Sequence, residues 1–191
     1  AGTGVEIAAL NAPGALTLAG PEAGLEQLRQ AAEARRFAFM PLDLDYAFHS
    51  AAMDPVREGL LADLAGLGCG APALPMLSSV TGRTLEAGEA DAAYWWRNLR
   101  EPVRFETAAR AAVAAGARLF IEIGPNPVLQ SYLRETCRAA GAESAILVGL
   151  SKRDAEGVDP FAALADRATA AGADPREGPA FRGPAGEGGQ R

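Results

Sequence analysis

At 191 residues, with 49% hydrophobic and 22% charged side chains, the chain has the composition of a globular protein long enough for one ordinary domain and a small second one. A net charge of -6 with no basic run excludes the electrostatic footprint of a nucleic-acid binder or of a protein held on an anionic membrane. Cys69 and Cys137 are too few for a disulfide framework and lack metal-ligand spacing, no apolar run approaches the ~20 residues of a membrane span, and no signal peptide is present, so a cytoplasmic protein without a metal is expected.

The chain opens on Ala1-Gly2-Thr3-Gly4 and reads as a piece of a longer polypeptide. Val5 to Leu10 alternates loosely and stops at the turn signal Asn11-Ala12-Pro13-Gly14, after which Ala15 to Gly20 resumes as a second short strand, predicting a hairpin. Pro21 opens a helix to about Arg36, with Leu25, Leu28 and Ala32 on one face and Arg29, Glu33 and Arg36 left to water. Phe37 to Leu44 reads as a third strand. The order β-β-α-β is what remains of a ferredoxin-like unit without its first strand and helix.

That third strand delivers the chain to Tyr46-Ala47-Phe48-His49-Ser50, which holds the only histidine. An unperturbed imidazole titrates close to neutral pH, so His49 is the chain's first candidate for taking and returning a proton. Ser50 is placed as the N-cap of a helix over 51–67, whose inner face carries Met53, Val56, Leu60, Leu61, Leu64 and Leu67. On these residues alone two readings stand: a general base, or a structural histidine held between apolar neighbours.

Beyond a loop at Cys69-Gly70-Ala71-Pro72, Pro75 to Val80 is a buried-strand candidate closed by Thr81-Gly82-Arg83. A helix is predicted from Asp91 to about Leu99, with Trp95 and Trp96 as packing residues, and another from Glu101-Pro102 to Gly116. Leu119 to Ile123 is a strand, and Gly124-Pro125-Asn126-Pro127 turns into a helix with Asn126 as cap and Pro127 at its first position. Ala145 to Leu150 is a last strand, so this half predicts a parallel α/β sheet. Pro160 to Ala171 can make one more helix, and the Gly/Pro-rich residues beyond 172 read as a disordered linker.

Four stretches in this order carry a resemblance: Tyr46-Ala47-Phe48-His49-Ser50, Pro75 to Gly82, Tyr94-Trp95-Trp96-Arg97-Asn98-Leu99-Arg100-Glu101-Pro102-Val103-Arg104-Phe105, and Ile121 to Leu129. Together they resemble the acyltransferase domain of type I polyketide synthases, over residues 5 to 150 or roughly its C-terminal half. The fold this implies is α/β: a partial ferredoxin-like small subdomain at 1–46, then the C-terminal part of an α/β-hydrolase-like parallel-sheet core at 47–150. A helical segment at 151–171 and the linker at 172–191 would follow.

The activity the resemblance implies is transfer of a malonyl extender unit from coenzyme A to the phosphopantetheine thiol of an acyl carrier protein, through a serine in a Gly-His-Ser-x-Gly elbow. That elbow is absent from this sequence, and none of Ser50, Ser78, Ser79, Ser131, Ser144 or Ser151 has its surroundings. The resemblance therefore implies that His49 is the general base for a serine outside this chain, and that the 191 residues are inactive and marginally stable alone. It implies that the main-chain carbonyl of Asn98 orients the histidine, and that Tyr46, Phe48 and Ser50 lie where the extender unit is selected. Phe48 would fill the space of a 2-methyl branch and implies malonyl, whereas Tyr46 matches the methylmalonyl class. No bound cofactor is implied. The expected partners are malonyl-CoA, the carrier protein, the other half of the domain and neighbouring synthase domains. Two alternatives accompany this reading: a non-catalytic carrier-docking scaffold, and part of a free-standing malonyl transferase of fatty-acid synthesis.

Overall fold

The structure, a computed structural model, describes residues 2–42, 44, 46–124, 127–143, 145–148 and 160–173. The chain divides into two compact units, Ala1–Ala115 and Gly116–Arg191, so the boundary expected near residue 46 falls inside the first.

In the first unit the predicted hairpin forms: β1 (Glu6–Ala12) pairs antiparallel with β2 (Ala15–Ala19). Asn11, buried in β1, donates its side-chain amide to Thr17 Oγ1 at 2.9 Å, which satisfies a polar group that burial would otherwise penalise. Pro21, with φ of -59° and ψ of 140°, leads into α1 (Glu22–Ala34), whose outer face is laced by Arg29 bound to Glu26 and Glu33. Gly24 is the buried position of α1, and a Cβ there would collide with the carbonyl oxygen of Thr3, so glycine permits the chain to cross at that point.

The third strand does not form. Residues 37–42 and 44 make no ladder, and Phe37, Met40, Leu42 and Leu44 stand between 56% and 84% exposed. A strand exists through its neighbour, and among the described residues none lies beside this segment, so its β propensity is not realised. The expected β-β-α-β unit is reduced to β-β-α. Val103 instead forms an isolated parallel bridge with Ala9, receiving the N–H of Leu10 at 2.8 Å and donating to Ala8 O at 2.9 Å.

The helix expected over 51–67 divides into a 3-10 turn (Ala51–Val56) and α2 (Arg57–Asp63). Pro55 accounts for the break, because it lacks the N–H that an α-helical turn would donate back to the carbonyl of Ala51. The strand expected over 75–80 is also replaced, here by a turn with a single bridge from Leu77 to Thr84. The Ser78 hydroxyl accepts the N–H groups of Val80 at 3.1 Å and Thr81 at 3.3 Å, and these local bonds compete with a ladder.

The following loop is clamped by Arg83, which donates to Glu89 through two nitrogens, one of them at 2.9 Å. The Arg83 hydrogen bond, helped by the N–H of Glu86 at 2.8 Å, lowers the Glu89 carboxyl from its ordinary 4.5 to about 2. A depressed folded-state value means the stabilisation is present above pH 4.5 and is lost as pH falls toward about 2. In the intact domain Glu89→Gln is therefore expected to flatten the fall of Tm across that acid window, and an unaltered acid slope would show that this exposed pair contributes nothing.

α3 (Ala92–Arg100) starts where predicted, capped by Asp91, whose Oδ1 accepts the N–H of Tyr94 at 2.8 Å. Its residue Tyr94 packs with Val80, Leu85 and Ala90 in a buried cluster beside Cys69. α4 (Phe105–Ala114) begins later than the Glu101-Pro102 start read from the sequence. Residues 101–104 cannot join it, because both backbone groups of Val103 are bonded to β1 and the N–H of Arg104 goes to Ser79 O at 2.6 Å.

In the second unit β3 (Leu119–Glu122) and β4 (Ala145–Val148) pair in parallel around α5 (Gln130–Ala139), which realises the predicted parallel α/β arrangement as one pair of strands among the described residues. α5 begins at Gln130, not at Pro127, and the intended cap Asn126 lies outside the described residues. The side chain that serves this end is Glu122, 8% exposed, whose Oε1 accepts the N–H of Val128 at 2.7 Å and of Leu129 at 3.0 Å. α6 (Pro160–Ala170) matches the last predicted helix. Residues 149–159 and the linker residues 174–191 lie outside the described residues. No described helix is long and apolar enough to cross a membrane.

Candidate active site

His49 occupies a tight turn with φ of 62°, a left-handed conformation that costs an L-residue roughly 1–2 kcal/mol. Hydrogen bonds on both sides hold it there. Its own N–H donates to Leu99 O at 3.0 Å, and the Ser50 hydroxyl donates back to Ala47 O at 2.7 Å while accepting from Ala52 N at 3.3 Å. Ser50 is therefore the N-cap that the sequence predicted.

The half-buried ring places Nδ1 2.9 Å from the carbonyl oxygen of Glu101. A carbonyl oxygen only accepts, so Nδ1 carries the proton of this contact, and in the neutral imidazole the lone pair then lies at Nε2. No hydrogen bond among the described residues takes up Nε2. The expected acceptor, the carbonyl of Asn98, is corrected to that of Glu101. Asn98 lines an open apolar groove with Leu60, Leu64, Leu67, Trp95 and Leu99. Glu101 is the C-cap of α3, extended at φ of -83° and ψ of 157°, and its carbonyl is free of the helical ladder. The signal was in the sequence: Glu101 precedes Pro102, which forces it out of the α region.

Tyr46 and Phe48 come together, with ring centroids 4.4 Å apart and planes tilted by 43°, and Phe48 stands edge-on to the His49 ring at 6.5 Å. They are 54% and 42% exposed, whereas Ser50 is 3% exposed and its hydroxyl is taken up within the turn. Trp95 lies edge-on to Tyr94 at 5.3 Å, and the guanidinium of Arg57 sits 6.0 Å above the ring of Trp96.

Sequence reasoning missed three charged residues around the turn. Glu6 accepts the N–H of Ala51 at 2.6 Å and the guanidinium of Arg100 at 3.0 Å, and Arg100 donates to Asp54 at 2.8 Å. Burial works against the Arg100 charge, but Asp54 and Glu6 outweigh it and raise its pKa. Residues so far apart in the chain leave no local pattern by which the trio could be found. Among the described residues no cluster of His, Cys, Asp or Glu has the makings of a metal site.

Residues 2–175 match the family described as "Acyl transferase domain". Over 158 residues, 82% of this chain, the sequence is 42% identical to polyketide synthase GfsB of Streptomyces halstedii, of which the match spans 3%. The fold overlays on the acyltransferase domain from module 8 of the salinomycin polyketide synthase with a TM-score of 0.85 at 32% identity, covering 91% of this chain and 41% of that one. The acyltransferase domain of SpnD, solved in complex with 2-(pent-4-yn-1-yl)malonyl, gives a TM-score of 0.80 at 27% identity, covering 90% and 42%. The chain thus spans about two fifths of these solved domains and a small part of the curated synthase.

Proposed function

The chain belongs to the acyl transferase domain family, in the form found in modular type I polyketide synthases, and on that premise we propose that it supplies the general base and part of the extender-unit pocket of a domain that moves malonyl units from coenzyme A to an acyl carrier protein. The observation that carries this reading is the 2.9 Å contact between His49 Nδ1 and the Glu101 carbonyl, which commits Nδ1 and places the lone pair of the neutral ring at Nε2, unclaimed by any hydrogen bond among the described residues. The serine nucleophile is assigned to the part of the domain that these residues do not span.

In the proposed reaction Nε2 of His49 takes the serine proton as the oxygen attacks the malonyl thioester, and returns it to the departing coenzyme A sulfur. The second half repeats the exchange: Nε2 takes the proton of the carrier's phosphopantetheine thiol, the sulfur attacks the malonyl-serine ester, and the proton goes to the serine oxygen. The Glu101 carbonyl stabilises the imidazolium that forms in each half. The test is malonyl transfer by the intact domain to its holo carrier protein, which must fail in both half-reactions when His49 is replaced, whereas a scaffold that only docks the carrier transfers nothing even with His49 in place.

Tyr46 and Phe48 are proposed to select the extender unit, with Phe48 filling the space of a 2-methyl branch, and Ser50 is given the capping role alone. Phe48→Ala is expected to lower the preference for malonyl-CoA over methylmalonyl-CoA by ~10-fold, within the 10–200-fold that one methyl group is worth in a pocket. Competition between the two thioesters reads this ratio directly, and an unchanged ratio would remove Phe48 from the pocket.

A further inference from the structure

Beyond His49 and its acceptor, side chains from three elements converge on the same turn. Glu6 opens β1, Asp54 lies in the 3-10 turn, and Arg100 ends α3. Glu6 Oε1 takes the N–H of Ala51 at 2.6 Å, two residues after His49, while Oε2 takes Nη1 of Arg100 at 3.0 Å. Arg100 Nε donates to Asp54 Oδ1 at 2.8 Å. Arg100 is also flanked by the two residues whose carbonyls hold the histidine, Leu99 on the backbone N–H and Glu101 on Nδ1.

We propose that Glu6 and Arg100 are positioning residues for His49, a brace that keeps the histidine turn and the end of α3 in register and so holds the ring in its Nδ1–H tautomer. The proposal rests on the reading of His49 as general base. A left-handed residue persists only where its surroundings over-determine it, and here the over-determination comes from both sides. The turn is fixed from ahead by Glu6 at Ala51, and the acceptors are fixed from behind by Arg100. A guanidinium fork reaches two carboxylates at once, which a lysine ammonium on a flexible stem does not do with the same geometry. The Arg100 side chain is 24% exposed and Glu6 38%, against 55% for Asp54, so the Glu6 contact is the less screened of the two.

The experiment uses the intact domain with its holo carrier protein and follows two readouts: steady-state malonyl transfer, and the nitrogen-15 ring resonances of His49, assigned by their loss in His49→Asn. Arg100→Ala is expected to lower kcat by ~10-fold with KM for malonyl-CoA nearly unchanged, as for a reacting group slightly misplaced, and to bring up the signal of the Nε2–H tautomer. Arg100→Lys should recover part of the loss. Glu6→Gln, which keeps an oxygen for Ala51 but gives up the charge, should fall between them. Wild-type kcat with an unmixed Nδ1–H signal in these variants overturns the brace, as does a loss of kcat with that signal unmoved. If Arg100→Ala does not fold, Glu6→Gln and Arg100→Lys decide by the same two readouts. If His49→Asn retains transfer, the general-base reading fails, while the tautomer signal still decides the brace.

Discussion

In the intact domain, His49→Ala is expected to lower malonyl transfer by ~10²–10⁴-fold, the range that a positioned general base contributes. Alanine has a second effect here. His49 sits at φ of 62°, where a Cβ-bearing residue without a polar side chain is strained, so His49→Ala is expected to lose stability as well as chemistry. His49→Asn separates the two effects, because asparagine tolerates the left-handed conformation but has no basic ring nitrogen. Both variants should show the same loss in single-turnover acylation by malonyl-CoA, and only alanine should show the larger drop in Tm. Transfer within ~3-fold of wild type in the asparagine variant would make His49 structural and remove the mechanism.

What the sequence disclosed about this site follows from the range of the interactions. The β1–β2 hairpin, α3 with its Asp91 cap and the Ser50 cap were legible, because each is set by residues within a few positions of one another. Elements that depend on a distant neighbour were not. Phe37 to Leu44 has strand-like composition but finds no ladder among the described residues, and Pro75 to Val80 loses its ladder to the Ser78 hydroxyl. Pro55 and Pro102 had local consequences that were present in the sequence and underweighted: one shortens α2, and the other moves the histidine's acceptor from Asn98 to Glu101. The Glu6–Arg100 contact joins the two ends of the first unit and has no local signature at all.

Ser78→Ala is expected to destabilise the domain by about 2–4 kcal/mol, a large loss for the removal of one oxygen atom. Ser78 is 1% exposed and its hydroxyl serves three groups at once. It accepts from Val80 N at 3.1 Å and Thr81 N at 3.3 Å, and with its lone pairs so occupied it turns its proton toward the Tyr94 hydroxyl at 2.9 Å. Removing it strands buried donors and leaves the Tyr94 hydroxyl, in a residue 6% exposed, without this partner. Tyr94→Phe leaves the Ser78 proton without this acceptor but keeps both backbone donors bonded to the serine oxygen, so it should cost less, about 1 kcal/mol. In the double variant the sum of the single losses should exceed the measured loss by about 1 kcal/mol, since the shared bond is broken once. Denaturant midpoints of the four proteins measure this coupling, and strict additivity would show that the two hydroxyls do not interact. Tyr94 lies on the helix that ends at Arg100, ahead of the carbonyl that orients His49, so the same bond that stabilises the buried cluster also anchors the support of the site.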